Sequence, residues 1–372
     1  MKIARTTLLL CCLFVFEQSI QTAAPAGYVI EWGGWDTFTG TARPPKLVLS
    51  NAVAISAGRI QCLALKNDGT VNAWSWNRKG EITFDNIVLT TGEGGFTDKT
   101  GSHVTQKSAT IIMTNGVVKI NGQILSNIVS IAAGDGFSLG LKRDRTVISW
   151  GENSIPDCPS NVVAVAAASF TGLALKEDGI VLQGVGVKWF PGHGRLNQVP
   201  GLTNVIAVAI GATDQGTRNV ALKKDGTVTT WGGETIYKDA TPPAGLSNVV
   251  AIAAGNSHTL AVKSNGTVIG WGFNDVGQAT GVPTTNSPYI SADRVTLGGR
   301  ILSNVVCVAA NRGYSMALKK DGTVVTWGRM VNNQHPATVP AGLSNVVAIA
   351  AGDNFCLAIT TNSAVADIFR QK

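Results

Sequence analysis

The sequence predicts an all-β fold: a single closed β-propeller made of repeated blades. Three observations carry this expectation. An imperfect repeat recurs along most of the chain; each copy holds short apolar runs rich in Val, Ile, Leu and Ala; and a glycine turn signal joins the second run to the third. Short antiparallel units of this size cannot bury both faces alone, and repetition at roughly 35–45 residues lets neighbours cover one another.

The clearest copy is LSNVVAIAAGNSHTLAVKSNGTVIGWG, Leu246 to Gly272, with relatives starting at Leu302 and Leu343. Aligned on Asn-Val-apolar, Ala-Ala-Gly, Leu-Ala-Leu-Lys, Asp-Gly-Thr-Val and Trp-Gly, units begin at Asn51, Asn127, Asn161, Asn204, Asn248, Asn304 and Asn345. The wide gap between Asn51 and Asn127 holds a worn copy, NIVLTTG from Asn86 followed by ATIIMTNGVVKING ending at Gly122. Counting it makes eight units at spacings of 34 to 56 residues; reading 86–122 as an insertion makes seven.

Each element has its own reason. The first run ends in Ala-Ala-Gly because strands near a propeller axis are crowded and small side chains let blades approach. The second and third runs are joined by NDG, KDG or SNG, which predict type I′ hairpin turns with both central residues at positive φ. Arg145 stands where one glycine is expected, so that unit needs another turn or carries strain. These Asp-Gly pairs lack the carboxylate ladder of a calcium loop. The third run ends in Trp-Gly, where Trp150, Trp231, Trp271 and Trp327 are expected to fill the widening gap between blades. The last unit stops without a Trp-Gly, while YVIEWGG near the start is an orphan copy of it. Residues 28–33 are therefore expected to join the final blade, 345–372, and close the ring, removing a sheet edge. The segment AVADIF is the competing occupant of that strand position.

Residues 1–26 form a basic, then apolar, then small-residue segment, as in a secretory leader with cleavage after Ala26. The propeller then spans 27–372, and the expected location is secreted or periplasmic. The apolar stretch is shorter than a membrane span needs, so no membrane insertion is expected. The formal net charge is +7, with basic residues scattered along the sequence, which argues against a nucleic-acid groove. Cys11 and Cys12 leave with the leader; Cys62, Cys158, Cys307 and Cys356 stand at no zinc spacing. Cys62 and Cys356 hold equivalent positions in the first and last units, so a disulfide across the closure is one reading; a position that simply wants a small residue is the other.

The pattern from Ala254 to Gln278, with its histidine at His258 and its Trp-Gly-x-Asn-x-x-Gly-Gln ending, resembles the regulator of chromosome condensation repeat family. The resemblance covers nearly the whole chain after the leader and implies a seven-bladed propeller. Within the family, the leader, the opening EWGGWDTFTGTARPPKLVLSNAVAISAG and the short link WGFNDVGQATGVP are similar to the secreted propeller-type β-lactamase inhibitory proteins. Departures include Gly184 for the expected Trp and Ser75 for the expected Gly.

Chemistry is hard to find. His103, His193, His258 and His335 have no neighbours at metal-ligand spacing, and no G-x-S-x-G, S-x-x-K or H-E-x-x-H occurs. No catalytic residue, cofactor or metal is expected. A partner is expected on the loops that follow each Trp-Gly: Trp35, Phe38, Trp76, Arg78, Trp189, Phe190, Tyr237, Phe273, Asn274, Tyr289 and Arg329. Aromatic and Arg side chains dominate interface hot spots, and binding residues concentrate on loops of rigid scaffolds. The leading expectation is a secreted, monomeric, non-enzymatic propeller that binds a protein, inhibition of an enzyme being one form. A carbohydrate-active propeller enzyme or carbohydrate-binding module is the alternative, and guanine-nucleotide exchange a remoter one.

Overall fold

The computed structural model describes residues 26–33, 35–36, 41–42, 45–59, 61–76, 82–83, 89–90, 95–97, 103–105, 110–114, 116–151, 159–185, 196–213, 216–232, 241–284, 287–329 and 338–370. The leader expected at 1–26 lies, apart from Ala26, outside them. No described helix is long and apolar enough to cross a membrane.

The asparagine that opens each unit is its conformational hinge. Asn51, Asn127, Asn161, Asn204, Asn248, Asn304 and Asn345 all have φ between 51 and 62°. Asparagine is among the few side chains that enter this left-handed region at modest cost. The flipped peptide that follows bridges two hairpins. Its carbonyl accepts from the turn of the same unit, as in Ser264 N to Asn248 O at 2.8 Å and Lys320 N to Asn304 O at 2.8 Å. Its N–H donates to the turn of the preceding unit, as in Val249 N to Gly226 O and Val305 N to Gly266 O, both 3.0 Å.

The chain then enters the first strand through a bulge. In the Asn248 unit, Val249 pairs with Lys263 and Ala251 with Val262, leaving Val250 without a ladder partner. The same shift recurs in the other six units. The unit continues antiparallel through His258–Lys263 and Val268–Phe273. First strands pack in succession around the molecule, Lys46–Ala57 on Ile128–Ala133 and onward to Val346–Ala351, which packs back on Lys46–Ala57.

The turns differ from the expected type I′. Gly69 N donates to Lys66 O at 3.0 Å and Lys66 N to Thr70 O at 2.9 Å, with only Gly69 at positive φ. This is a type I turn closed by a left-handed glycine. The Asp is held instead by the threonine after it: Asp68 Oδ1 accepts from Thr70 N at 2.9 Å and Thr70 Oγ1 at 2.6 Å. Those bonds also hold the carboxyls of Asp68, Asp144, Asp225 and Asp321 below the ordinary carboxylate range. Arg145 keeps the same turn, with its N donating to Lys142 O at 2.9 Å, and takes φ 66° in the glycine's place. Strain, not a different turn, is the outcome.

Of the worn copy at 86–122, the strands Leu89–Thr90, Thr110–Thr114 and Val117–Ile120 join the sheet beyond Val71–Trp76. Ile128 N donates directly to Gly69 O, the bond that joins successive units elsewhere. Val117–Ile120 instead extends the sheet beyond Val71–Trp76, Val117 opposite Asn72. This is the outer position that Tyr289–Arg294 occupies beside Val268–Phe273. The described part of this segment thus extends the sheet at the edge of the first unit.

At the seam, Gly27–Trp32 pairs antiparallel with Cys356–Thr360, Trp32 opposite Cys356. On its other side it pairs with the start of Lys46–Ala57, Glu31 opposite Lys46. AVADIF lies instead in the helix Ser363–Arg370, which buries Val365, Ala366 and Phe369. Asn362 caps it, its Oδ1 accepting from Ala364 N at 3.1 Å.

Replacing Asn248 with Ala should lower the unfolding free energy by about 1 kcal/mol, whereas Asn248→Gly should change it by a few tenths. Arg145→Gly should raise stability, since relief of the left-handed strain outweighs an exposed Arg145–Glu177 ion pair. Urea denaturation of the three variants checks both signs.

Candidate functional site

Two side-chain positions tie each unit to its neighbours. The first stands five residues before the end of the second strand: Gln61, Phe137, Thr171, Arg218, His258, Tyr314 and Phe355. Several reach forward to the next unit. Gln61 Nε2 donates to Phe137 O at 2.6 Å and to Ser138 Oγ at 3.0 Å. Arg218 Nη2 donates to Ser257 O at 3.2 Å. Tyr314 Oη lies 2.8 Å from Gly352 O and 2.6 Å from Phe355 O. His258 Nε2 lies 2.7 Å from Ser315 Oγ, which itself donates to Gln278 O at 2.7 Å. With the serine hydrogen so engaged, the imidazole must donate from Nε2. His258 is fully buried; burial first, and the Arg218 charge second, push its pKa down to about 3. It is a neutral structural donor, not an acid–base group.

The second position is the Trp of Trp-Gly, which reaches back. Trp74 Nε1 donates to Glu31 Oε2 at 2.9 Å, Trp231 Nε1 to Gln183 Oε1 at 2.7 Å, and Trp327 Nε1 to Gln278 O at 3.0 Å. Opposite each Trp on the second strand stands a buried side chain, small in most units: Cys62, Ser138, Thr259, Ser315 and Cys356 among them. This explains the equivalent cysteines. Cys62 and Cys356 are buried free thiols, so the disulfide reading is corrected: the position selects a small side chain under an indole. Burial raises both thiol pKa values, which keeps them protonated and unreactive.

Close backbone approach accounts for the Ala-Ala-Gly motif. A Cβ on Gly255 would lie 2.5 Å from Asn311 O in the next unit. No side chain larger than hydrogen fits there.

Loops after Trp-Gly and loops after Ala-Ala-Gly share one face, because the strands between them run up and back. The expected partner residues divide on this face. Phe273 and Tyr289 are half-buried and meet edge to face, with ring centroids 5.2 Å apart at 73°. Arg329 is exposed, its N donating to Gly313 O at 2.7 Å. Trp35 and Trp76 fall in the strands Trp35–Asp36 and Val71–Trp76. Phe38, Arg78, Trp189, Phe190 and Tyr237 lie outside the described residues.

Asn274 is a correction. It is wholly buried, and its Oδ1 accepts from Ala279 N at 2.9 Å and Thr280 N at 3.0 Å while Nδ2 donates to Thr280 Oγ1 and Val282 O. Its side chain folds the 274–280 loop inward, where Gln278 and Ala279 are buried and Gln278 O receives both Ser315 and Trp327. Glycine at 270 makes room for Ala279 O. Glu31 and Gln183 hold the corresponding place before the Trp or its replacement in other units, so a loop here replaces a side chain. The signal was in the sequence: the pair Gly270 and Gln278 inside the most complete repeat.

The described residues contain no cluster of three or more His, Cys, Asp or Glu able to hold a metal.

His258→Gln should keep the forward bond, since Gln61 already makes its counterpart to Ser138. Neutral burial means the unfolded state alone takes up a proton as pH falls from about 6.5 toward 3, so stability present above pH 6.5 is lost over that window. The wild-type protein should therefore lose stability more steeply than His258→Gln between pH 6.5 and 4, by up to about 1.4 kcal/mol per pH unit in chemical denaturation. Asn274→Ala should cost about 3 kcal/mol, seen as a drop in Tm.

Comparisons with known proteins agree with this framework. Residues 128–154 and 249–278 match the Regulator of chromosome condensation (RCC1) repeat. The E3 ubiquitin-protein ligase HERC2 of Homo sapiens is 27% identical over 301 residues, 67% of this chain but 6% of its own length. The Regulator of chromosome condensation of Drosophila melanogaster is 32% identical over 98 residues, 26% of this chain and 17% of its own. The chain thus spans a small part of these relatives. Among solved structures, yeast RCC1 (Prp20) bound to Kap60 superposes with a TM-score of 0.63 at 16% identity, covering 99% of this chain and 96% of that one. Human WBSCR16 gives 0.60 at 16% identity, covering 90% and 99%. Such identities speak to the fold alone. Two segments of this chain thus match the regulator of chromosome condensation repeat, and its all-β fold is like that of the RCC1 propellers.

Proposed function

We propose that the protein is an exported, seven-bladed, non-enzymatic binding propeller that presents its post-Trp-Gly loops to a protein partner. One observation carries the reading. The repeat positions with chemical potential, including His258, Arg218, Tyr314 and both seam thiols, are buried in blade-to-blade contacts. The Phe273–Tyr289 ring pair and Arg329, by contrast, remain accessible at the loop face. A partly exposed aromatic pair and an exposed arginine on one face match the composition of an interface hot spot.

Solved relatives lend support by analogy. The Saccharomyces cerevisiae protein Prp20p is described with binding to Gsp1p and histones, and the RCC1-like propeller is a fold used for protein binding. Inhibition of an extracellular enzyme is the form suggested by the leader and by the similarity of the opening and the 271–283 link to secreted inhibitory propellers.

The test is capture from native extracellular medium with the chain from Gly27 onward as bait, followed by titration of the captured protein. Phe273→Ala, and separately the double variant Trp189→Ala with Phe190→Ala, should weaken binding at least about tenfold while Tm stays within about 2 °C. Turnover of a glycan by the isolated protein, abolished by one carboxylate substitution, would sink the reading.

A further inference from the structure

The face opposite those loops has a character that linear sequence hides. The second strand ends in lysine in six units, at Lys66, Lys142, Lys176, Lys223, Lys263 and Lys319. Scattered along the chain, they are gathered by the fold onto the hairpin-turn face. Exposed Arg143, Lys224 and Lys320 follow directly in three of these turns. The turn aspartates offset this charge incompletely. Lys176 and Lys319 do lie 3.7 Å from Asp178 and Asp321. However, the Oδ1 of Asp68, Asp144, Asp225 and Asp321 is occupied by its own threonine.

Four exposed apolar side chains gather on the same side, Val282 in the segment after Trp271-Gly272 being the exception. Among the described residues five large hydrophobic side chains are exposed: Ile124, Val250, Val282, Ile301 and Ile368. Ile124 and Ile301 each stand three residues before a hinge asparagine, and Val250 is a bulge residue two after one. Ile368 reaches Gly342, which itself stands three before Asn345.

Both properties meet in one groove. A cleft of about 740 Å³ separates the hairpin of Val117–Ile120 and Gln123–Ile124 from the 142–145 turn. Ile120, Ile124, Leu125 and Ile148 give it apolar walls, and Lys142 and Arg143 supply its cationic rim. Ile124 is 52% exposed. Asp144 also borders it, with its carboxylate turned to Thr146 N and Oγ1.

We propose that this groove is a second docking site, taking an acidic segment of another protein that inserts one or two apolar side chains. Apolar walls with a charged rim match the anatomy of a protein interface, and the rim's sign selects an acidic occupant. A nucleic acid would use the cations and leave the isoleucines idle, so the two classes separate experimentally.

The probe is a fluorescein-labelled peptide, Asp-Glu-Leu-Asp-Phe-Glu, titrated by anisotropy against the chain from Gly27 onward, with a Lys-for-acid counterpart and heparin as controls. Binding of the acidic peptide alone, weakened at least about tenfold by Arg143→Glu and by Ile124→Asn, is the expected result. Both side chains are exposed, so Tm should hold, and Arg312→Glu on the opposite face should leave affinity unchanged. Should Ile124→Asn shift Tm, Ile124→Ala serves in its place. Absence of peptide binding overturns the proposal, as does equal binding of the basic counterpart. So does affinity that survives both variants. Heparin binding that depends on Arg143 but not on Ile124, with no peptide binding, would assign the face to polyanions instead.

Discussion

One peptide group per unit holds the ring in register. It lies between the hinge asparagine and the next residue, its carbonyl bound to the unit's own turn and its N–H to the turn before. Only a left-handed residue can aim the two ends of that peptide at two different hairpins while the chain moves from one blade into the next. Once the hinge is set, the bulge, the antiparallel pairing and the close approach of Gly255 to Asn311 follow from the same displacement. Repeat proteins gain stability from such nearest-neighbour terms.

Blade-to-blade contact is conserved in geometry more than in chemistry. Gln61 and His258 make the same forward bond to serines in the same place, while Arg218 and Tyr314 reach backbone carbonyls. Each of these four side chains finds an acceptor in the next unit, and losing one would leave a buried group unsatisfied at about 1–3 kcal/mol. The histidine of the repeat therefore marks a packing role. The same holds for the 274–280 loop, whose Asn274 looked like surface and is core.

With these positions absorbed by packing, the accessible side chains lie on two unlike faces. On the loop face, segments of irregular length offer an aromatic pair and Arg329. On the turn face, regular hairpins offer lysines and a few exposed branched side chains. The first is written in what differs between units, the second in what recurs.

The repeat, its unit boundaries, the strand-forming runs and the small residues of Ala-Ala-Gly were legible in the sequence, because each reflects a backbone constraint that acts locally. Even the orphan YVIEWG could be matched to the incomplete last unit, and it does lie beside Cys356–Thr360. Turn type was not legible, since a type I turn with a left-handed glycine and a type I′ turn share the same Asp-Gly letters. Other facts needed the tertiary structure. That Val117–Ile120 extends a neighbour's sheet, that Cys62 and Cys356 are free thiols, that Asn274 points inward and that scattered lysines share one face are all decided by which segments of distant sequence meet. A local pattern specifies the blade; the packing of one blade on the next determines what each side chain is for.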